Sequence, residues 1–165
     1  MAYICKKNGK FYVYDLEEEP DMEELRKYFD FVITDIDILI ASSIALLNEK
    51  GYTTEASCAE HYHSFLRCEE TYCEQDIPPN AVYSKTDEKG EIKYCYIDHC
   101  DIQRSYVEFC DRYDFSTLPI GWEFSKGCFL CYKYDSNLNE YDFYKKQAEA
   151  LGNLYDWVLS LPNKK

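Results

Sequence analysis

The sequence predicts an α+β fold. Three observations carry that prediction: a helical repeat of apolar residues at 35–50, a second helical stretch at about 138–161, and short strand-like segments between them. Helices placed early and late around a run of strands indicate α+β layering rather than alternating βαβ units. The expected architecture is a single domain over residues 1–165, mostly antiparallel sheet, with the helix at 35–50 packed on it and the C-terminal helix closing it.

The first element is a hairpin. Residues 3–7 and 10–15 flank Asn8-Gly9, and Asn-Gly suits a type I′ turn, whose central residues need positive φ. An exposed acidic run, Glu17-Glu18-Glu19, follows. Pro20 and Asp21 then open a short helix ending near Asp30, with Asp21 and Glu24 at the spacing of a capping box. Over 35–50, Ile36, Leu39, Ile40, Ser43, Ile44 and Leu47 recur every three or four residues, the mark of an apolar helix face. Thr34 is the expected N-cap and Gly51 the C′ residue, where a left-handed conformation suits glycine. Residues 52–57 read as a strand leaving that helix.

From 58 to 79 the pattern turns irregular, and Pro78-Pro79 cannot donate to a strand ladder. This stretch reads as a long functional or wrapping loop. Segments 81–84 and 91–98 form a second hairpin around Asp87-Glu88-Lys89-Gly90. Residues 105–110 alternate, sending Tyr106, Glu108 and Cys110 to one face and Val107 and Phe109 to the other. Segments 121–124 and 128–134 continue the β character, making the sheet largely antiparallel. The last segment steps through Tyr141, Tyr144, Ala148, Leu151, Tyr155 and Val158 at helical spacing and stops before Pro162.

A content of 46% hydrophobic and 17% aromatic residues supports a packed core rather than a disordered chain. Eighteen basic against 31 acidic residues leave a formal charge of −13. That charge repels phosphate backbones, so direct nucleic-acid binding is not expected. It suits instead a protein partner with a basic surface, where complementary charge raises association rate and specificity. No apolar run nears the ~18 residues of a membrane helix, and the start, Met1-Ala2-Tyr3-Ile4-Cys5-Lys6-Lys7, lacks the apolar core of a secretory signal. A cytoplasmic location is expected, with nine cysteines present as reduced thiols.

The residues with the chemistry of a metal site are Cys58, His61, His63, Cys68 and Cys73, because thiolate and imidazole are zinc ligands. Their spacing lacks the paired knuckles of a structural zinc site. Cys128 and Cys131 do form a Cys-x₂-Cys, but strand alternation is expected to aim their sulfurs at opposite faces. Ser57, Cys58 and His61 are the candidate catalytic or ligand-binding set, since a nucleophilic cysteine needs a nearby base. No Gly-rich phosphate loop is present, and no cofactor is expected.

The stretch Leu46-Leu47-Asn48-Glu49-Lys50-Gly51-Tyr52-Thr53-Thr54-Glu55-Ala56-Ser57-Cys58-Ala59-Glu60-His61 resembles a pattern of uncharacterised phage and bacterial small proteins. That pattern runs Leu-Asn-x-Lys-Gly-Tyr-x-Thr and then Ser-Cys-x-Gly-His. It is distantly similar to the Ser-Cys-Ser-Gly-Arg segment of wybutosine-synthesising tRNA methyltransferases. Tyr106-Val107-Glu108-Phe109 and Leu118-Pro119-x-Gly121-Trp122 fit its later part. Glu60 stands where both patterns carry glycine, a residue that would permit positive φ or close backbone approach.

These features together lead us to expect an acidic protein-binding inhibitor that occupies a basic nucleic-acid-binding site on its partner. Phage anti-defence proteins of the anti-CRISPR class are similar in size and charge, which implies action in the host-cell cytoplasm. The contact residues expected are Glu17, Glu18, Glu19, Asp21, Glu23, Glu24, Glu69, Glu70, Glu74 and Asp76. The alternative is a small enzyme or ligand-binding domain using the Ser57, Cys58 and His61 loop.

Overall fold

The computed structural model describes residues 2–62, 66–71, 81–86, 88–89, 92–97, 103–135 and 137–164. The chain runs β1 Ala2–Lys7, β2 Lys10–Asp15, α1 Met22–Tyr28, β3 Phe31–Ile36, α2 Ile38–Glu49, β4 Thr54–Cys58, β5 Leu66–Thr71, β6 Ala81–Thr86, β7 Ile92–Ile97, β8 Arg104–Phe109, β9 Glu123–Ser125, β10 Phe129–Lys133 and α3 Glu140–Ser160. Every strand pairing is antiparallel, in the orders β2-β1-β3, β4-β8-β10-β9 and β5-β7-β6. The fold is α+β. Among the described residues no helix is long and apolar enough to cross a membrane.

Local chemistry explains most element ends. Asn8 and Gly9 have φ of 53° and 79°, as the two central residues of a type I′ turn require, and β1 pairs β2 from Ala2–Asp15 to Lys7–Lys10. The Asp21 carboxylate caps α1 by accepting from the backbone N–H groups of Glu23 and Glu24. Gly51, at φ 92°, ends α2: its N–H donates to the Asn48 carbonyl and that of Tyr52 to the Leu47 carbonyl. Those two bonds make a Schellman motif. Burial along β8 alternates as the sequence predicts, with Ser105, Val107 and Phe109 inside.

Three elements differ from expectation. Residues 31–36 form β3, which pairs with β1 through Ile36–Ala2, Ile33–Ile4 and Phe31–Lys6. The helix therefore starts at Ile38, not at Asp35, and its N-cap is Asp37 rather than Thr34, with Asp37 Oδ1 accepting from Leu39 N–H at 3.1 Å. A partner strand thirty residues away is invisible to helical periodicity. β5 also falls inside the stretch read as irregular loop.

The third correction concerns α3. Its buried face carries Phe143, Gln147, Ala150, Leu154, Trp157 and Val158, while Tyr141, Tyr144, Ala148 and Tyr155 of the expected stripe are exposed. Both sets repeat at helical spacing. The decision goes to Phe, Leu and Trp because their burial removes more apolar surface than that of tyrosines, whose hydroxyls keep one end wet.

The core joins β1 (Ala2, Ile4), α2 (Ile40, Ile44, Leu47), β8 (Val107, Phe109), β10 (Leu130) and α3 (Leu154, Val158). An aromatic group closes one end: the Phe115 ring meets Trp157 at 4.9 Å, Phe124 at 5.2 Å and Phe109 at 5.5 Å. Indole N–H groups tie the 110–122 connection to α3, with Trp122 Nε1 donating to the Ala150 carbonyl and Trp157 Nε1 to that of Thr117.

Candidate functional site

The expected acidic residues begin where β2 ends. Glu17, Glu18, Glu19, Asp21, Glu23 and Glu24 are all exposed, and among the described residues Glu17, Glu18, Glu19, Glu23 and Glu24 form no ion pair. The local fold accounts for their presence: Asp21 caps α1, and Glu23 and Glu24 sit in its first turn, where the helix dipole favours negative charge. Exposed rings lie on either side of them in the sequence, namely Tyr12, Tyr14, Tyr28 and Phe31. Phe29 packs against Tyr14 at 5.8 Å and Tyr28 at 4.8 Å, and Lys7 Nζ lies 2.9 Å from the centre of the Tyr28 ring. Glu69 and Glu70 belong to β5, but their side chains, like all of Glu74 and Asp76, lie outside the described residues.

The Ser57, Cys58 and His61 set sits at the end of β4, at the edge of its sheet. Ser57 is in register with Val107 and Cys58 with Tyr106, so strand alternation turns the two side chains to opposite faces. Ser57 Oγ is buried without a hydrogen-bond partner among the described residues. The Cys58 sulfur accepts from Glu60 N–H at 3.2 Å, and burial pushes its thiol pKa up, the reverse of what a nucleophilic thiolate needs. His61 is 68% exposed and turns Nε2 toward Asp37 Oδ2, 3.6 Å away, beyond hydrogen-bonding distance. Of the candidate metal ligands, His63 and Cys73 and the side chain of Cys68 lie outside the described residues. Among those described, no group of three or more His, Cys, Asp or Glu could hold a metal ion.

Behind this corner lies a buried polar node. Glu60 has φ 67°, in the left-handed region that favours glycine, and a non-glycine residue is held there by surrounding bonds. Its carboxylate accepts from the N–H groups of His61 and Arg104, and its carbonyl accepts from Gln147 Nε2. Gln147, 3% exposed, also donates to the Ala59 carbonyl. Ser105 Oγ donates to that same carbonyl at 2.6 Å and lies 2.7 Å from the Tyr134 hydroxyl. Burial raises the Tyr134 pKa to about 12, against a smaller lowering by Ser105. Sequence reasoning passed over Asp37, Ser105, Tyr134 and Gln147. One signal was available: Gln147 is a polar residue in the apolar stripe of α3.

The outer face of β8, β9 and β10 carries a cleft of about 480 Å³ lined by Arg104, Glu108, Glu123, Phe129, Cys131 and Lys133, among others. Lys133 Nζ pairs with Glu123 at 2.8 Å, and the Arg104 guanidinium lies 5.3 Å from the centre of the Phe129 ring. Both Cys128 and Cys131 line this cleft. Cys128, in the turn before β10, also packs against the hydrophobic core, whereas Cys131 in β10 is buried outside that core cluster. Burial raises the Cys131 thiol pKa.

No protein-family model, curated protein or solved structure matches the chain. The geometry of its own residues therefore carries the functional reading.

Proposed function

We propose that this chain is an acidic protein-binding module that presents segment 17–24 to a basic surface on a partner, acting as an inhibitor at a nucleic-acid-binding site. The observation that carries the reading is the gathering of six exposed carboxylates within eight residues, bordered by exposed rings. Charge of this kind steers encounter, while tyrosine and phenylalanine supply contact area at low entropic cost. A phage-encoded, anti-CRISPR-like protein working in the host cytoplasm would use such a surface. The alternative, catalysis or ligand binding at Ser57, Cys58 and His61, has less support: burial raises the thiol pKa, and its described hydrogen bond runs to Glu60 rather than to His61.

Capture from a bacterial lysate tests the proposal. A protein retained at ~0.1 M salt is expected to be released near ~1 M, as the Debye length contracts from about 10 Å to about 3 Å. A variant with glutamine at 17, 18, 19, 23 and 24 and Asp21→Asn, which keeps the helix cap, is expected to lose that protein. Retention by the variant, or indifference to salt, overturns the reading.

A further inference from the structure

Helix α3 has three faces. With about 100° of rotation per residue, Phe143, Gln147, Ala150, Leu154, Trp157 and Val158 fall on the buried face, and Asp142, Lys146, Glu149 and Asn153 on a polar one. Tyr141, Tyr144, Ala148, Gly152, Tyr155 and Leu159 fall within an arc of about 80° that contains no charged residue, and all six are exposed, Tyr141 at 76% and Leu159 at 52%.

Gly152 stands out within this stripe. Glycine in a helix interior costs roughly 1 kcal/mol relative to alanine, yet a Cβ built there meets nothing within 4 Å. The chain's own packing therefore does not call for glycine at this place. With Ala148 one turn earlier, it makes a small-x₃-small pair that lets a second helix approach closely.

We propose that a second copy of this chain packs antiparallel on this stripe about a two-fold axis near position 150. The stripe is complementary to itself when reversed about that point. Tyr141 then meets Leu159 of the other copy, Tyr144 meets Tyr155, and Ala148 meets Gly152, so the small residues lie at the crossing and the large ones fill both ends. Lys145 and Asp156 lie on one flank of the stripe and form no ion pair among the described residues. A two-fold axis keeps each flank on its own side and brings Lys145 level with Asp156 of the other copy, giving two equivalent ion pairs. This match of shape and charge under one symmetry operation favours a second copy over an unrelated helix. The stripe is a single helix face about 27 Å long, so the association is expected to be weak and concentration-dependent. It does not depend on segment 17–24, and a dimer would present two such segments to a partner.

Sedimentation velocity of the full chain under reducing conditions, across the micromolar range, tests the proposal. The expected result is a rise from the monomer mass to twice that mass with concentration. Gly152→Gln places a side chain in open space and improves helix propensity, so the monomer is expected to melt no lower while self-association weakens on the order of tenfold. Lys145→Glu and Asp156→Lys singly are expected to weaken it, and the two together to restore it. A monomer throughout the range overturns the proposal. So does a dimer indifferent to Gly152→Gln, or one that the double charge exchange fails to restore.

Discussion

Replacing Gln147 by leucine probes the node that holds Glu60 in its left-handed conformation. The substitution keeps nearly the same volume and removes both hydrogen bonds that Nε2 donates to the carbonyls of Ala59 and Glu60. The Ala59 carbonyl keeps its bond from Ser105 Oγ. Losing two buried hydrogen bonds costs about 1–3 kcal/mol, partly offset because leucine buries no amide of its own. The expected net loss is therefore about 1–2 kcal/mol. In a domain of this size each kcal/mol moves the Tm by roughly 2–4 °C, so Gln147→Leu should melt about 2–8 °C lower. Urea unfolding should show a lower midpoint at an unchanged m-value, since the surface exposed on unfolding is the same. A variant as stable as the parent would refute the reasoning, because Gln147 would then be replaceable by a hydrophobe without penalty.

Four further outcomes are expected. Tyr134, its pKa raised to about 12, is favoured neutral in the folded state. Its contribution is complete below pH 10 and is lost as pH rises from 10 to 12, to a total of about 2.7 kcal/mol for two pKa units; Tyr134→Phe should remove that part of the slope in unfolding measured from pH 9 to 12, and parallel curves would contradict it. Gly121→Ala should cost about 1–3 kcal/mol in urea unfolding, since φ is +83° and the new Cβ would stand 2.8 Å from Tyr132 Cε2; an unmoved midpoint counts against this. Lys50→Met removes the ammonium that donates to the Leu159 and Leu161 carbonyls at the end of α3 and should cost about 1 kcal/mol. Hydrogen exchange should then quicken in the last turn of α3, and unchanged protection there would speak against the cap. Cys58, its thiol pKa raised by burial, should react with iodoacetamide at pH 7 more slowly than a free thiol and faster as pH rises; rapid labelling at pH 7 would revive the thiol-enzyme reading.

Much of the fold was legible because its signals are local. The Asn8-Gly9 turn, the Asp21 cap, the glycine end of α2 and the alternation of β8 each depend on residues within one turn or strand, and each appears where the sequence places it. The errors arose where a distant partner decides. β3 exists because β1 offers it a ladder, and that pairing shortens the helix at its start and passes the cap from Thr34 to Asp37.

The candidate site divides along the same line. Charge, acidic segment and amphipathic periods follow from composition and spacing, for which the covalent chain suffices. Which of two helical stripes on α3 is buried, whether Cys58 meets His61, and why a glutamate can occupy a glycine's conformation at position 60 depend on what packs against each group. Periodicity shows that a helix has a face, but burial goes to the face whose partners exclude most water. Gln147, Ser105 and Tyr134 approach Ala59 and Glu60 from three distant parts of the chain, so their hydrogen bonds exist only once the core has closed around them.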